Sequence, residues 1–465
     1  MSGGTRCRLV FYGDDFTGST DALEVLAFAG LRCALFLKPP QPDTLARFSA
    51  LDAAGVAGDS RGMSPAEMEQ ALPAVFEALA SVGAPIIHYK VCSTFDSSPT
   101  IGSIGRVMEI ARRRFSAGFI PIVAGTPALG RYCLFGNLFA RSGTDGRVYR
   151  IDRHPIMSAH PVTPMTEGDL ARHLARQGDV GVATFPYAEL EDGRDAALRR
   201  LRALADTGPG AILFDTGSPR HLTDIGHLLE EEAKRRAPVF VVGGSGVEYA
   251  LTQWWRESEG LADASARYDT VRPVDRILVV SGSASKVTAA QIDAALRAGF
   301  AEVPVAARDL VDEEGWRQTA DALASRAVTL LNEGRSVLLH TARGPDDPRI
   351  GAMRDAMVAR GATPEDVRHG GGRALGIRLG HIARQILAAV PLPRIAVAGG
   401  DTSSQVVQAL GPDALEVAAR LAPGAPLCRT LSRSPGMHGV EVALKGGQIG
   451  GVKFFEELRA GNGNY

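Results

Sequence analysis

Lysine is scarce in this chain of 465 residues, because only six of its 51 basic residues are lysine. Cysteine is also scarce: five residues are scattered along the chain, with no CxxC pair and no histidines at metal-ligand spacing. No apolar run reaches the length of about 18 residues that a membrane-spanning helix requires. The net charge of −1 gives no long-range attraction to nucleic acid or to a membrane surface. These absences exclude a common zinc module, a disulfide framework and a membrane span, and they indicate a cytoplasmic protein with a small-molecule ligand.

The chain is too long for one typical core, and two domains are the expectation. Apolar runs alternate with segments of helical spacing, which is typical of an α/β fold in which mainly parallel sheets are flanked by helices. The alternation stops in the segment ESEGLADASARYDTVRPV. We therefore predict a first domain at 1–256, a linker at 257–274 and a second domain at 275–465.

The segment Ile395–Leu410 predicts a strand, a glycine turn and a helix. Gly399 and Gly400 allow a ligand to approach the backbone closely, and the N-terminus of the following helix attracts an anion. Asp401 and Thr402 add a carboxylate and a hydroxyl group. This turn is a candidate phosphate site, although an ordinary helix cap explains the pattern about as well.

Two further glycine turns follow strands of the second domain. One lies at Ser281–Lys286, and the other follows Lys445 at Gly446 and Gly447. Neither a GxxxxGK[ST] motif nor a well-placed GxGxxG motif occurs, so the sequence supports neither a P-loop nor a dinucleotide fingerprint. Three separate glycine turns at strand ends are therefore the candidate anion sites of this domain.

Polar residues follow the predicted strands of the first domain. Asp14 and Asp15 come directly after the first strand, and Arg61 follows the third. The carboxyl ends of the strands are the usual place of chemistry in an open α/β sheet. The alternative is a polar turn with capping residues, which is also our interpretation of Asp21, placed in the first turn of a helix.

A hydroxyl-rich loop follows the predicted strand that ends at Lys90. It contains Ser93, Thr94 and Asp96 beside that lysine, and these groups could together bind a polyol acid. Two domains of this kind suggest phosphoryl transfer between a nucleotide and a polar small molecule. A kinase needs groups that hold the donor phosphates, Mg²⁺ to neutralise their charge, and a carboxylate near the acceptor hydroxyl. We expect this chemistry in a cleft between the domains.

Six segments in this order resemble the four-carbon acid sugar kinase family, and the resemblance spans nearly the whole chain. They are GDDFTGSTDALE at 13–24, KVCSTFDSSPTIGSIG at 90–105, HPVTPMTEGDL at 160–170, VVSGSASKVTAAQI at 279–292, AGGDTSSQVVQALG at 398–411 and LKGGQIGG at 444–451. The resemblance implies an acid-sugar domain, an ATP domain, and phosphorylation of the terminal hydroxyl of a tetronate or 3-oxo-tetronate. The segments CSTFD and HPVTPM are more similar to the 3-oxo-tetronate kinase branch than to the threonate and erythronate branches.

The resemblance also implies roles for individual residues. Asp14 and Asp15 match the paired acids at the substrate, and either could be the base. The further substrate contacts that it implies are Arg61, Lys90, Ser93 and Thr94. The nucleotide contacts that it implies are Ser283, Gly399, Gly400, Asp401, Thr402 and Gly447. The sequence does not indicate which residues bind a metal. The expected partners are a sugar acid and ATP, and a homo-oligomer is an open alternative.

Two residues depart from the family pattern. Gly13 stands where the family often has Ala, which points to an altered acceptor such as the branched acid 3-oxo-isoapionate. Gly446 stands where the family often has Ser, which weakens the expectation of ATP binding at that turn. A catalytically inactive sensor of the nucleotide or the sugar acid is the alternative to an enzyme, and the intact Asp14, Asp15 and Lys90 argue against it.

Overall fold

The structure is a computed structural model. It describes residues 7–40, 44–45, 47–48, 51–115, 118–143, 145–160, 162–363, 371–422, 425–434 and 436–462. The chain divides into two compact units, an N-terminal unit of Met1–Ala264 and a C-terminal unit of Ser265–Tyr465. Both combine a mainly parallel sheet with helices, so the predicted α/β class is confirmed.

The N-terminal unit is built on parallel strands. Its strands are β1 (Leu9–Gly13), β2 (Cys33–Phe36), β3 (Ala53–Ala57), β4 (Ile86–Lys90), β5 (Ile120–Val123), β6 (Arg131–Leu134), β7 (Asn137–Arg141), β8 (Val148–Arg150), β9 (Val182–Phe185), β10 (Ala211–Phe214) and β11 (Val239–Gly243). Eight of these strands pair in parallel in the order β2-β3-β1-β4-β11-β5-β10-β9. Most of their residues are buried, which explains the continuous apolar runs in the sequence.

Helices flank this sheet. They are α1 (Phe16–Phe28), α2 (Pro65–Ser81), α3 (Ile104–Arg114), α4 (Leu170–Ala175), α5 (Arg194–Ala205), α6 (Pro219–Arg236) and α7 (Gly246–Glu259). Helix α7 packs on α1 and α6, whereas α2 packs on α3. The start of α2 is fixed by a capping box, because Ser64 accepts a hydrogen bond from the Glu67 amide and the Glu67 carboxylate accepts one from the Ser64 amide.

The C-terminal unit has a mixed sheet. Its strands are β12 (Leu278–Ser281), β13 (Ala301–Pro304), β14 (Val337–His340), β15 (Arg394–Ala398), β16 (Ala414–Ala422), β17 (Ala425–Leu431) and β18 (Glu441–Lys445). Strands β13-β14-β12-β15-β18 are parallel, and β17 and β16 continue the sheet in antiparallel pairing. The helices are α8 (Lys286–Arg297), α9 (Ala307–Leu310), α10 (Trp316–Asn332), α11 (Pro348–Ala359), α12 (Gly371–Ala389), α13 (Gly400–Leu410) and α14 (Phe454–Ala460).

Two local features differ from the sequence prediction or extend it. Helix α1 begins at Phe16, because the Asp15 side chain caps it, so Asp21 lies in its second turn and not in the first turn, where the sequence placed it. Strands β7 and β8 form an antiparallel hairpin, and β6 adds a third antiparallel strand. No helix in the described ranges is both long and apolar enough to cross a membrane.

Candidate active site

The carboxyl ends of three neighbouring strands bring the candidate residues of the N-terminal unit together. Gly13 at the end of β1 pairs with Ala57 at the end of β3 and with Lys90 at the end of β4. The chain therefore delivers Asp14 and Arg61 to the same edge of the sheet. The Arg61 amide donates to the Asp14 carbonyl oxygen at 3.0 Å, which fixes the two loops to each other.

Arg61 bridges the two aspartates. Its Nη2 lies 2.8 Å from Asp14 Oδ1 and its Nε lies 3.3 Å from Asp14 Oδ2, so the guanidinium holds this carboxylate bidentately. Its Nη1 lies 3.0 Å from Asp15 Oδ2, while Asp15 Oδ1 accepts a hydrogen bond from the Gly18 amide at 2.8 Å. The exposed fraction of the side chain is 6% for Asp14 and 27% for Asp15. Asp15 is therefore the more accessible of the two carboxylates.

Asp14 has an unusual acid–base equilibrium. Burial raises the pKa of its carboxyl group to about 6, the charge of Arg61 opposes this rise, and the charge of Asp15 adds to it. A carboxyl group that titrates near neutral pH in a polar site is a feature of functional sites.

Lys90, a predicted substrate contact, is buried, and its side chain is 2% exposed. Its Nζ donates to the Val91 carbonyl oxygen at 3.1 Å and lies 3.5 Å from Asp21 Oδ2. Asp21 is therefore an ion-pair partner in the second turn of α1, and our interpretation of it as a helix cap is wrong. The sequence did not indicate this pair, because its two members lie far apart along the chain.

The loop after β4 has a strained backbone. Phe95 is fully buried and has a φ of 57°, a left-handed conformation that bulky residues rarely adopt. The Thr94 hydroxyl donates to Asp96 Oδ1 at 2.6 Å, so its proton is not available to a ligand. Ser93 is half-buried and Thr94 is buried, so Ser93 is the more accessible of these two predicted contacts.

Two glycines permit close packing at this edge. A Cβ on Gly18 would lie 2.5 Å from Asp15 Oδ1 and 3.1 Å from Lys90 Nζ. A Cβ on Gly13 would lie 1.9 Å from Ser19 Oγ, which donates to the Asp15 carbonyl oxygen at 2.6 Å. Glycine at position 13 is thus matched to serine at position 19. No pattern in the sequence indicated a role for Gly18 or Ser19.

In the C-terminal unit, three glycine turns converge. Strands β12, β15 and β18 are neighbours, and Ala398 pairs with both Ser281 and Lys445. A Cβ on Gly399 would lie 2.9 Å from Thr402 Oγ1 and 3.4 Å from the Ser283 amide nitrogen. The structure therefore places Ser283, Gly399 and Thr402 within contact distance of one another, at the N-terminus of α13.

The turn at Gly447 joins the same group. A Cβ on Gly447 would lie 2.9 Å from Ser283 Oγ. Thr288 donates to the Gly447 carbonyl oxygen at 3.1 Å, and Ser285 donates to the same atom. The N-terminus of α8, where Ser285 is the cap, therefore lies beside the N-terminus of α13. Two helix N-termini at one point favour an anionic ligand.

The remaining predicted nucleotide contacts are Gly400 and Asp401. Gly400 opens α13 and is exposed, whereas the side chain of Asp401 lies outside the described part of the chain. A Cβ on Gly446 would be in ordinary contact with Ile449 at 3.4 Å, so the serine that is common in the family would fit there. Burial lowers the pKa of the neighbouring Lys445 to about 8.

A metal site can be tested only on the described residues. Among them, no group of three or more His, Cys, Asp or Glu side chains is arranged to hold a metal ion. Mg²⁺ bound to ATP needs only one or two carboxylates, because phosphate oxygens and water supply its other ligands. The described residues are therefore compatible with a metal that arrives with the nucleotide.

Family profiles match both units. A profile described as a sugar-binding N-terminal domain matches residues 9–251, and a profile described as a nucleotide-binding C-terminal domain matches residues 278–455. The two candidate sites described above lie one in each matched region.

Related proteins cover the chain from end to end. A 3-oxo-isoapionate kinase from Paraburkholderia graminis is 44% identical over 97% of this chain and 94% of its own. A 3-oxo-tetronate kinase from Cupriavidus necator is 30% identical over 98% of both chains. A solved structure from Salmonella typhimurium LT2 has a TM-score of 0.72 at 26% identity and covers 97% of this chain and 98% of its own. Since the profiles and the relatives span both units, this chain belongs to the four-carbon acid sugar kinase family.

Proposed function

We propose that this protein transfers the γ-phosphoryl group of ATP to the terminal hydroxyl group of a small 3-oxo sugar acid. The expected ATP-dependent sugar-acid kinase agrees with the names of its relatives. The observation that carries the proposal is the Asp14–Arg61–Asp15 group at the strand ends of the sugar-binding region. A guanidinium and two carboxylates at one edge can both orient a polyol and accept its proton.

The names of the relatives reduce the candidate acceptors to two. The 44% identity to a 3-oxo-isoapionate kinase favours a branched 3-oxo acid, the alternative that Gly13 suggested in the sequence. The unbranched 3-oxo-tetronate is the second candidate, because a kinase of that name is 30% identical over nearly the whole chain. Both acceptors are oxidised sugar acids with a terminal hydroxyl group.

On the acceptor side, Asp15 is our candidate for the general base. It is the more exposed carboxylate, and its Oδ2 can accept the proton of the hydroxyl group while Arg61 holds the side chain in place. The Asp14 carboxylate binds the same guanidinium group and so fixes the position of Arg61. The hydroxyl oxygen attacks the γ-phosphorus and its proton passes to Asp15. The bond between the γ-phosphorus and the β,γ-bridging oxygen breaks, and ADP leaves with the electron pair of that bond. Ser93 and Lys90 complete the acceptor side, Ser93 by its hydroxyl group and Lys90 by its charge.

On the donor side, we place the phosphates at the turns of Ser283, Gly399–Thr402 and Gly447. Backbone amides at the N-termini of α8 and α13 bind the phosphate oxygens. When bound with ATP, Mg²⁺ neutralises phosphate charge.

Two further proposals are a cytoplasmic location and a homo-oligomer. Cell fractionation tests the location, and light scattering tests the oligomeric state.

A substrate screen tests the function. Purified protein is incubated with ATP, Mg²⁺ and a panel of four- and five-carbon sugar acids that includes both 3-oxo acids, and the products are analysed by mass spectrometry and phosphorus NMR. We expect ADP and one phosphomonoester at the terminal carbon. Binding of an acid and ATP without turnover would favour the inactive sensor, and a product without new phosphate would contradict both proposals.

A further inference from the structure

Four buried titratable groups lie behind the acceptor side of the site. Lys90 Nζ is 3.5 Å from Asp21 Oδ2, and His88 Nδ1 is 2.6 Å from Glu248 Oε1. The side chains of His88 and Glu248 are fully buried, and those of Lys90 and Asp21 are 2% and 13% exposed. The reaction as described above uses the charge of Lys90 but gives no role to the other three groups.

The Lys90 ammonium group lies against Gly18, where a larger residue would not leave room for it. A Cβ on Gly18 would be 3.1 Å from Lys90 Nζ and 2.5 Å from Asp15 Oδ1. The lysine ammonium and the Asp15 carboxylate therefore lie against the same small residue. This places a positive charge close to the carboxylate that we assign as the base.

Carboxylates from three of the elements packed around Lys90 act on its charge, whereas β11, which pairs with β4 at this position, carries none. Asp14 and Asp15 come from the end of β1, Asp21 from α1 and Glu248 from α7. Burial lowers the pKa of Lys90, but the charges of Asp21, Asp15, Glu248 and Asp14 raise it, and the result lies above the usual value. Among these charges, Asp21 has the largest effect.

The other charges nearby are already engaged. Arg61 contacts Asp14 and Asp15, and His88 contacts Glu248 and the Gly243 carbonyl oxygen, the latter at 3.1 Å through Nε2. Asp21 is thus the ion-pair partner of Lys90 within the described residues. An acid acceptor is itself an anion, and it enters a site that already holds two carboxylates, so the positive charge of Lys90 is needed to offset repulsion.

We propose that Asp21 is a positioning residue that keeps Lys90 protonated and holds its ammonium group beside Gly18, close to the carboxylate of Asp15. The buried Glu248–His88 pair supports the same arrangement from α7 and β4. This inference rests on the proposed function, because it explains how an anionic acceptor is accommodated at a site rich in carboxylates.

Asp21→Asn tests the inference through the titration of Lys90. The chain has only six lysines, so protein labelled with ¹³C-lysine gives few side-chain NMR signals, and Lys90→Met identifies the signal of Lys90. We expect Asp21→Asn to lower the pKa of Lys90 by at least about one unit. Glu248→Gln is expected to lower it by less. An unchanged Lys90 titration in Asp21→Asn would overturn the inference.

Steady-state kinetics between pH 7 and 10 give the second readout. In the wild type, we expect the KM of the acid acceptor to change little with pH. In Asp21→Asn it should rise about twofold or more by pH 10 as Lys90 loses its proton, with the KM of ATP unchanged and with recovery at lower pH. Lys90→Met should show the high KM at every pH. An acceptor KM that rises equally at every pH in Asp21→Asn would contradict the inference, because it indicates a general structural effect.

A matched control is Asp224→Asn. Asp224 is a buried aspartate of the same unit and pairs with Arg194 at 2.8 Å, away from this site. This variant removes the same kind of ion pair, and both the Lys90 titration and the acceptor KM should stay at wild-type values. If no acid is phosphorylated by the wild type, the proposed function fails, whereas the Lys90 titration still decides the role of Asp21.

Discussion

Asp14 and Asp15 are adjacent, yet their surroundings predict different effects when each is replaced by Asn. Asp15→Asn should lower kcat by about 10²-fold or more, because it removes the accessible base. Asp14→Asn should lower kcat less and should mainly weaken acceptor binding, because Arg61 loses one of its two anchors. Initial rates of both variants over the two substrate concentrations separate these effects. A greater loss of kcat in Asp14→Asn would assign the base to Asp14.

The pH dependence of the wild type follows from Asp14. Its carboxyl group has a pKa of about 6, so it is charged above that pH and takes up a proton below it. Since only the charged form anchors Arg61 as an ion pair, kcat/KM should fall as the pH decreases through about 6. A pH–rate profile checks this, and the decrease should be absent in Asp14→Asn. A flat wild-type profile between pH 5 and 7 would contradict it.

Gly13 and Ser19 form a second residue-scale pair. In Gly13→Ala the new methyl group would lie 1.9 Å from Ser19 Oγ, so we expect an overpacking cost of about 1–3 kcal/mol in the free energy of unfolding. The double variant Gly13→Ala/Ser19→Ala should recover most of that loss, because the hydroxyl group that clashes is removed. Denaturant unfolding of both variants, with Ser19→Ala as control, measures this. Equal stability of Gly13→Ala and the wild type would show that Ser19 simply moves aside.

The sequence revealed residues whose partners are local and missed those whose partners are distant. Asp14 and Asp15 stood out because they follow an apolar run, and Arg61 because it follows another. The ion pair between Asp21 and Lys90 could not be predicted from the sequence, because only the pairing of β1 with β4 brings the two residues together. A helix cap was the local explanation for Asp21, and the real cap is Asp15.

At the scale of elements, helix α13 offers a test with an internal control. Gly399 precedes it with a φ of 116°, and a Cβ there would lie 2.9 Å from Thr402 Oγ1. Gly399→Ala should therefore weaken ATP binding about tenfold or more, because the turn must change shape at a cost of about 1–3 kcal/mol. Gly411, at the other end of α13, has a φ of 68°. Gly411→Ala should lower stability without changing ATP affinity, and calorimetry with ATP distinguishes the two variants.

Equal losses of ATP affinity in the two variants would mean that α13 as a whole, and not its N-terminal turn, determines binding. The turn itself was predictable, because an apolar run followed by two glycines is a local signal. Strand β16 was not, since its sequence ALEVAARLA contains many residues that favour helices. Antiparallel pairing with β17 overrides that preference, and such pairing is a tertiary effect.

At the scale of the whole molecule, the two candidate sites lie in two units with separate matches to a sugar-binding and a nucleotide-binding domain. Each ligand should therefore leave its own footprint in amide hydrogen exchange, because backbone amides that bind a ligand open less often. A sugar acid should slow exchange at 13–18, 58–62 and 91–97. ATP should slow it at 282–286, 398–403 and 445–451.

Nucleotides with fewer phosphates provide the control for this experiment. If the glycine turns bind phosphate through backbone amides, ADP should protect the three ATP segments and adenosine should protect them little, because adenosine has no phosphate for the helix N-termini to bind. Mass spectrometry of peptides after exchange measures both effects in the full chain. Equal protection by adenosine and ATP would show that the turns recognise the nucleoside, and protection by ATP at 13–18 alone would move the nucleotide to the N-terminal unit and contradict the division of roles between the two units.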